Sequence, residues 1–381
     1  MALNVVSSDR LSTNVKTSNL ATGLSGKVGE NKNLIINGAM NVAQRGTSST
    51  STSYQTVDRF LNSINGGTVT QAQHTLTSSD TGPWAKGFRK SYHQTNTSAS
   101  SDAAANFRNI YYYVEAQDLA NSGWDYTSSS SYITLSFWAK SSLAGTYYIQ
   151  LRSQDGTGQN YASPYTLATD TWKKITVKIP GNSNIQVDND TGAGLQIYWV
   201  LDYGTNFTGS MSTNTWAAYS SATRTPDFAQ DWTGTASATF EITGVQLEVG
   251  DTATEFEHRK FQDELYNCQR YYQQVGATGQ DGDFCIGTSH LASAGDQTRV
   301  GYYGQNQLRA TPTITEFGSG LLVKGAASKS STAVTTIGDI NVTFPSTLLV
   351  FNCECADIGD DNEIVVITNQ ANSGIQISAE L

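Results

Sequence analysis

Two carboxylates about 5 to 9 Å apart can cleave a glycosidic bond, so paired acids are the first chemistry to seek in this chain. The candidates Glu115, Asp188, Asp190, Asp202, Asp227, Asp231 and Glu241 are scattered and fall mostly among turn residues. Acids in turns commonly bond to their own backbone, and no pair stands out as an acid and base. His74, His93, His258 and His290 are read as isolated, because they lack the H-E-x-x-H or H-x-H spacing that aims two imidazoles at one metal. His258 opens a helical pattern, where capping or packing is its expected role. The C-x-C of Cys353 and Cys355 has no second pair or nearby His to complete a tetrahedral zinc site. With Cys268 and Cys285 these are read as reduced thiols. There is no G-x-S-x-G elbow or phosphate-binding loop, and the GAGL at 192–195 runs into a strand pattern. The DGD at 281–283 has Ile286 where a calcium loop needs glycine. The acidic run at 357–363 is read as solvated turn charge, with a surface cation as the alternative. The expectation is therefore no enzyme, no cofactor and no metal site.

The aromatic residues are more informative: 19 Tyr, 7 Trp and 13 Phe, several on the mixed faces of strand patterns. A ring exposed on a sheet offers a flat apolar surface to the C–H face of a sugar, while neighbouring Asn, Gln and Asp orient the hydroxyls. Trp138, Tyr148 and Tyr198 are candidates for such glycan contact. The competing role for the same rings is packing against another sheet or subunit.

The elements that must position these rings are strands. In 132–139, Ile133, Leu135 and Phe137 alternate with Tyr132, Thr134, Ser136 and Trp138. The pattern repeats at 146–152, at 172–179 with Ile175, Val177 and Ile179 inward, and at 195–201 with Leu195, Ile197, Trp199 and Leu201 inward. In 238–249, Ala238, Phe240 and Ile242 share one parity while Val245, Leu247 and Val249 take the other. A bulge at Thr243-Gly244 would return both sets to one core. The spacing of Phe261, Leu265, Cys268 and Tyr272 predicts a connector helix over 258–274. All seven tryptophans lie between Trp84 and Trp232, so 275–381 reads as a distinct second domain of short strands. The fold class is all-β: a jelly-roll sandwich over 34–257, the helix, and a smaller C-terminal sandwich. Residues 1–33 are polar with few apolar residues and read as an extended attachment arm, with Leu20, Leu24 and Val28 as its candidate contacts.

Only 15% of residues are charged, and 23 basic against 33 acidic residues give a net charge of −10. No dense Lys/Arg block could neutralise a phosphate backbone, so nucleic acid is not an expected partner. No run approaches the 18 or so apolar residues that a membrane span needs, and the N-terminus lacks the apolar core of a secretory leader. Membrane insertion is not expected, and synthesis in a cytosol is.

Several strings carry a resemblance: NLIINGAMNVAQRGTS (33–48), VDRF (57–60), SFWAKSS (136–142), ITGVQLEVGDTATEFEHRKFQDELYNCQRYYQ (242–273), LRATPTITEF (308–317) and the terminal SAEL (378–381). Together they resemble bacteriophage tail-fibre and related virion structural proteins over nearly the whole chain beyond residue 33. Glu255 departs from the pattern, standing where the usual residue is proline. The resemblance implies a carbohydrate-binding-module-like jelly roll, a connector helix and a C-terminal β-domain, assembled as a homotrimer in the virion. It further implies docking to other virion proteins, a tail adaptor or capsid, through the N-terminal arm, and adhesion to host-surface polysaccharide. A capsid (head) fibre or decoration protein with a mainly structural role is the alternative, and a polysaccharide depolymerase is a third reading.

Overall fold

The alternation read from the sequence closes into two facing antiparallel sheets. The computed structural model describes residues 32–101, 103–277, 284–290, 297–318, 321–325, 331–340, 348–355, 364–369 and 373–381. Leu20, Leu24 and Val28, and the acidic runs at 281–283 and 357–363, lie outside the described residues. The first part contains strands β1 (Ser48–Ser49), β2 (Leu61–Asn65), β3 (Thr68–Thr75), β4 (Lys90–Ser98), β5 (Phe107–Glu115) and β6 (Tyr132–Ser141). It continues with β7 (Gly145–Ser153), β8 (Gln159–Leu167), β9 (Lys173–Pro180), β10 (Ala193–Tyr203), β11 (Trp216–Ala218) and β12 (Thr239–Val249). One sheet runs β1-β3-β4-β12-β6-β9 and the other β11-β8-β7-β10-β5-β2, giving a jelly-roll sandwich. Sequence neighbours such as β6 and β7 fall in opposite sheets, so each sheet is stitched from distant segments.

The inward parities meet in one core. Ile133, Leu135, Phe137 and Ala139 from β6 face Leu195, Ile197, Trp199 and Leu201 from β10. The fully buried Trp199 indole lies 5.9 Å from the Phe60 ring and 5.8 Å from Phe137. Each such ring contributes roughly 1.5–3 kcal/mol by leaving water. The bulge expected in β12 is present: its register against β6 shifts between Thr243 and Gln246, and Phe240, Ile242, Val245 and Leu247 all reach the core. Gly244 makes this possible at φ +63°, where a Cβ would sit 2.6 Å from the Phe88 ring.

Helix α1 (Ala116–Ala120) is a single turn and α2 (Phe261–Gln269) is shorter than the sequence spacing predicts. Phe261 is 58% exposed, and α2 buries Glu264 and Cys268 instead. Tyr272 belongs not to the helix but to strand β13 (Tyr272–Ala277). The cause is competition for the two tyrosines. Arg59 lies 3.5 Å over the Tyr271 ring and Arg45 3.5 Å over Tyr272, while Tyr271 O accepts a 2.7 Å bond from Ala379 N. Those contacts outweigh another helical turn.

The remaining strands are β14 (Phe284–His290), β15 (Gln297–Tyr303), β16 (Thr313–Phe317), β17 (Leu321–Gly325), β18 (Ser331–Ile340), β19 (Leu348–Cys355), β20 (Ile364–Asn369) and β21 (Ser373–Ser378). They form a three-stranded sheet, β13-β21-β16, and a six-stranded one, β14-β20-β17-β18-β19-β15. A second, smaller core includes Val300, Leu308, Ile314, Leu349, Ile375 and Ile377.

Much of the motif sequence converges where the chain end meets the sandwich. Glu380 of the SAEL end accepts from Arg59 of VDRF at 2.5 Å and Arg45 of the AQRG string at 3.3 Å. Tyr54 donates to Leu381 O at 3.1 Å, and Glu115 accepts from Arg270 at 2.6 Å and Tyr271 at 2.7 Å. Arg309 donates to Ala379 O and Glu380 O. Breaking one buried ion pair of this kind costs about 3–5 kcal/mol, so these motif residues hold the two cores together.

Candidate functional site

On the first sheet, the parity that sends Leu135 and Phe137 inward sends Ser136, Trp138 and Lys140 outward. Cross-strand pairing sets Trp138 beside Thr243 and Lys174, and Lys140 beside Glu241, which itself pairs with His93. Two segments fold over this outer face. Residues 76–89 anchor through Leu76 and Phe88, and residues 251–260 return with Phe256, whose ring meets Phe88 edge-on at 4.8 Å. Trp84, Trp138 and Trp172 pack around them, half-buried.

Between these parts lies a cavity of about 310 Å³ lined by Ser136, Trp138, Lys174, Phe256, His258 and Lys86, among others. Gly82 lies against the edge of the Trp138 indole, where a Cβ would stand 2.6 Å from Cζ3. Arg89 stacks over Trp84 at 3.7 Å. Asp80 ties the covering loop down by accepting from the Trp172 indole N–H at 3.0 Å, Lys140 at 3.3 Å and Thr77 N at 2.9 Å. Burial would raise the Asp80 carboxyl, but those donors and the Lys140 charge hold it below its ordinary range. An indole with ammonium, imidazole, hydroxyl and carboxylate groups at its rim can stack on a sugar and orient its hydroxyls. His258 takes the packing role expected of it, with its ring 5.1 Å from Phe88 and Nε2 2.9 Å from Lys86 O.

Tyr148 and Tyr198 do not join Trp138. They sit on the outer face of the other sheet and are buried, at 7% and 4% exposure. The segment between β10 and β12 covers them: Phe228 meets Tyr148 edge-on at 5.1 Å, and Phe207 packs on Tyr203. Tyr111 meets Tyr198 at 4.3 Å, and the Tyr198 hydroxyl donates to Gln196. Burial pushes both phenols above their ordinary value. The exposure expected of these two rings is corrected, because apolar side chains more than 50 positions from Tyr148 fill the space a sugar would need.

The sequence reading also missed a cluster. His74 and His93, taken as isolated, face each other on β3 and β4 with ring centroids 5.2 Å apart, beside buried Glu241. Burial alone would raise the Glu241 carboxyl, but His93, Lys140 and Ser91 outweigh it and hold it well below the carboxylate range. A carboxyl held ionised does not serve as the proton donor of a glycosidase pair, whose other member, the base or nucleophile, is the ionised one. The available signal was that both histidines take outward parities in neighbouring strands. Using it requires the hairpin register, Ala72 opposite His93 and His74 opposite Ser91. His290 lies in β14, whose side chains are outside the description.

A larger cavity, about 430 Å³, lies between the start of the described chain and α2, with Lys32, Asp118, Glu248 and Arg259 in its lining. No aromatic ring lines it, and three of its charged groups are engaged: Lys32 binds Glu255 O, Arg259 binds Asn33 O and Glu257, and Glu248 binds Thr254.

No family model matches this chain, and no curated protein matches it. Among solved structures it is similar to the tailspike protein 4 enzymatically active domain of bacteriophage CBA120, at 12% identity and TM-score 0.32, over 57% of this chain and 22% of that one. It is also similar to the N-terminal cellulose-binding domain of Cellulomonas fimi β-1,4-glucanase C, at 9% identity and TM-score 0.28, over 56% of this chain and 99% of that one. A xylan-binding domain from Paenibacillus barcinonensis aligns over 56% and 99%, with 12% identity and TM-score 0.26.

Proposed function

We propose that this chain is a non-enzymatic bacteriophage virion fibre protein whose sandwich binds host-surface glycan through the Trp138 cavity. The observation that carries the reading is that cavity: a half-buried indole on a rigid sheet, rimmed by Lys86, Lys174, Glu255, His258 and Ser136. The sequence motifs shared with virion fibres support the setting, and the ion-paired junction between the two cores suits a stiff projection. Residues 1–33 supply the attachment to the particle, and three copies assemble as a homotrimer. One weak sugar site per chain then suffices, because linked sites raise avidity by about 10²-fold or more without new contacts.

Purified full-length protein titrated with polysaccharide from susceptible bacteria is expected to bind saturably and to release no reducing ends. Labelled antibody against the sandwich should decorate fibres on intact particles. Absence of saturable binding to any surface glycan of a bacterium to which the particle adsorbs would sink the adhesive reading, and release of reducing ends the non-enzymatic one.

A further inference from the structure

We propose that His74, His93 and Glu241 form a divalent transition-metal site of the zinc-binding class on the outer face of the first sheet. One ligand atom from each residue lies within 4.8 Å of the others. His74 Nδ1 is 3.1 Å from Glu241 Oε2, and His93 Nδ1 is 3.4 Å from Glu241 Oε1. A tetrahedral zinc ion with bonds of about 2.0–2.1 Å spaces its ligand atoms by about 3.3–3.4 Å. Each imidazole already stands at about that distance from one Glu241 oxygen, and rotation of the half-exposed His74 ring brings the set, now within 4.8 Å, onto one ion.

The partners around the three groups orient them as ligands. His93 Nε2 sits 2.9 Å from Thr95 Oγ1. In the neutral ring with Nε2 donating, the lone pair lies on buried Nδ1 facing Glu241, and an ion there takes the place of the proton that otherwise links His93 to the carboxylate. Ser91 donates to Glu241 Oε2 at 2.7 Å and fixes the carboxylate. Such second contacts set the tautomer and direction of metal ligands. The three residues come from adjacent strands β3, β4 and β12, so the backbone holds their spacing, and half-exposed His74 leaves a path for the ion. Three protein ligands leave one position open to water.

Lys140 is the competitor. Its ammonium lies 2.8 Å from Glu241 Oε1 and 3.3 Å from Asp80. An arriving cation repels it, and Asp80 is already placed to receive it. The site is thus tuned against weakly held cations, and removing the ammonium should tighten it.

The test is calorimetric titration of chelator-treated full-length protein with zinc chloride, alongside cobalt(II) absorption spectroscopy. One zinc per chain is expected at this site. His74→Ala and His93→Ala should each weaken uptake by at least about tenfold, and Lys140→Gln should strengthen it several-fold. Cobalt in the intact chain should give four-coordinate d–d bands and two paramagnetically shifted imidazole N–H resonances, a readout that survives if a variant misfolds. No stoichiometric zinc uptake, uptake unchanged in both histidine variants, or a cobalt spectrum without imidazole ligands would each overturn the proposal.

Discussion

The outer faces of the two sandwich sheets are built from the same alternation of apolar and polar residues, and they end differently. The face bearing Tyr148 and Tyr198 is sealed by Phe207 and Phe228 from the β10–β12 connection. The face bearing Trp138 is roofed by residues 76–89 and 251–260, which leave a cavity of about 310 Å³ beside the ring. What separates a platform from a core is the segment laid over it. On the sealed face that segment brings aromatic rings that fit the sheet. On the other, Phe88 and Phe256 anchor the cover to one side of Trp138, while Asp80 and Gly82 fix the loop by hydrogen bonds and close approach. One arrangement maximises burial, and the other keeps room for a ligand.

The contrast can be broken most forcefully on the sealed face. Tyr198→Ala removes a ring that is 4% exposed, so it should cost about 3–5 kcal/mol in urea unfolding while leaving glycan affinity of the folded fraction unchanged. A cost below about 1 kcal/mol would mean that the cover is loose.

A smaller effect sharpens the same contrast through pH. Burial raises the Tyr198 phenol above its ordinary value of 10.0, so the fold favours the neutral form. That contribution is whole below pH 10.0 and is lost as pH rises beyond it. Glu241 is shifted the other way, so its contribution is whole above its ordinary value of 4.5 and is lost as pH falls below it. Melting temperature measured against pH should therefore show Tyr198→Phe flattening the alkaline limb and Glu241→Gln flattening the acid limb. Exchange of those two effects would contradict the assignment.

The sequence patterns disclosed the strands because period-two alternation depends only on local residues. The β12 bulge was legible too, since Ile242 and Val245 cannot both face the core without an extra residue. The end of α2 was not, because Tyr271 and Tyr272 are claimed by Arg59 and Arg45, about 210–230 positions away. The burial of Tyr148 and Tyr198 depends on Phe207 and Phe228, whose connection has no periodicity to read. The meeting of His74, His93 and Glu241 needs two strand registers at once. Of the three rings read as sugar platforms, Trp138 lines a cavity because Phe88 and Phe256 of the covering segments pack beside it without filling the space over Ser136 and Lys174.

The most direct measurement compares glycan binding by wild-type protein, Trp138→Ala and Tyr148→Phe under conditions where all three are folded. Loss of at least about tenfold in affinity, about 1.4 kcal/mol, in Trp138→Ala alone is the expected result. Equal binding by Trp138→Ala and wild type, or a loss confined to Tyr148→Phe, would place the adhesive surface elsewhere and contradict the account.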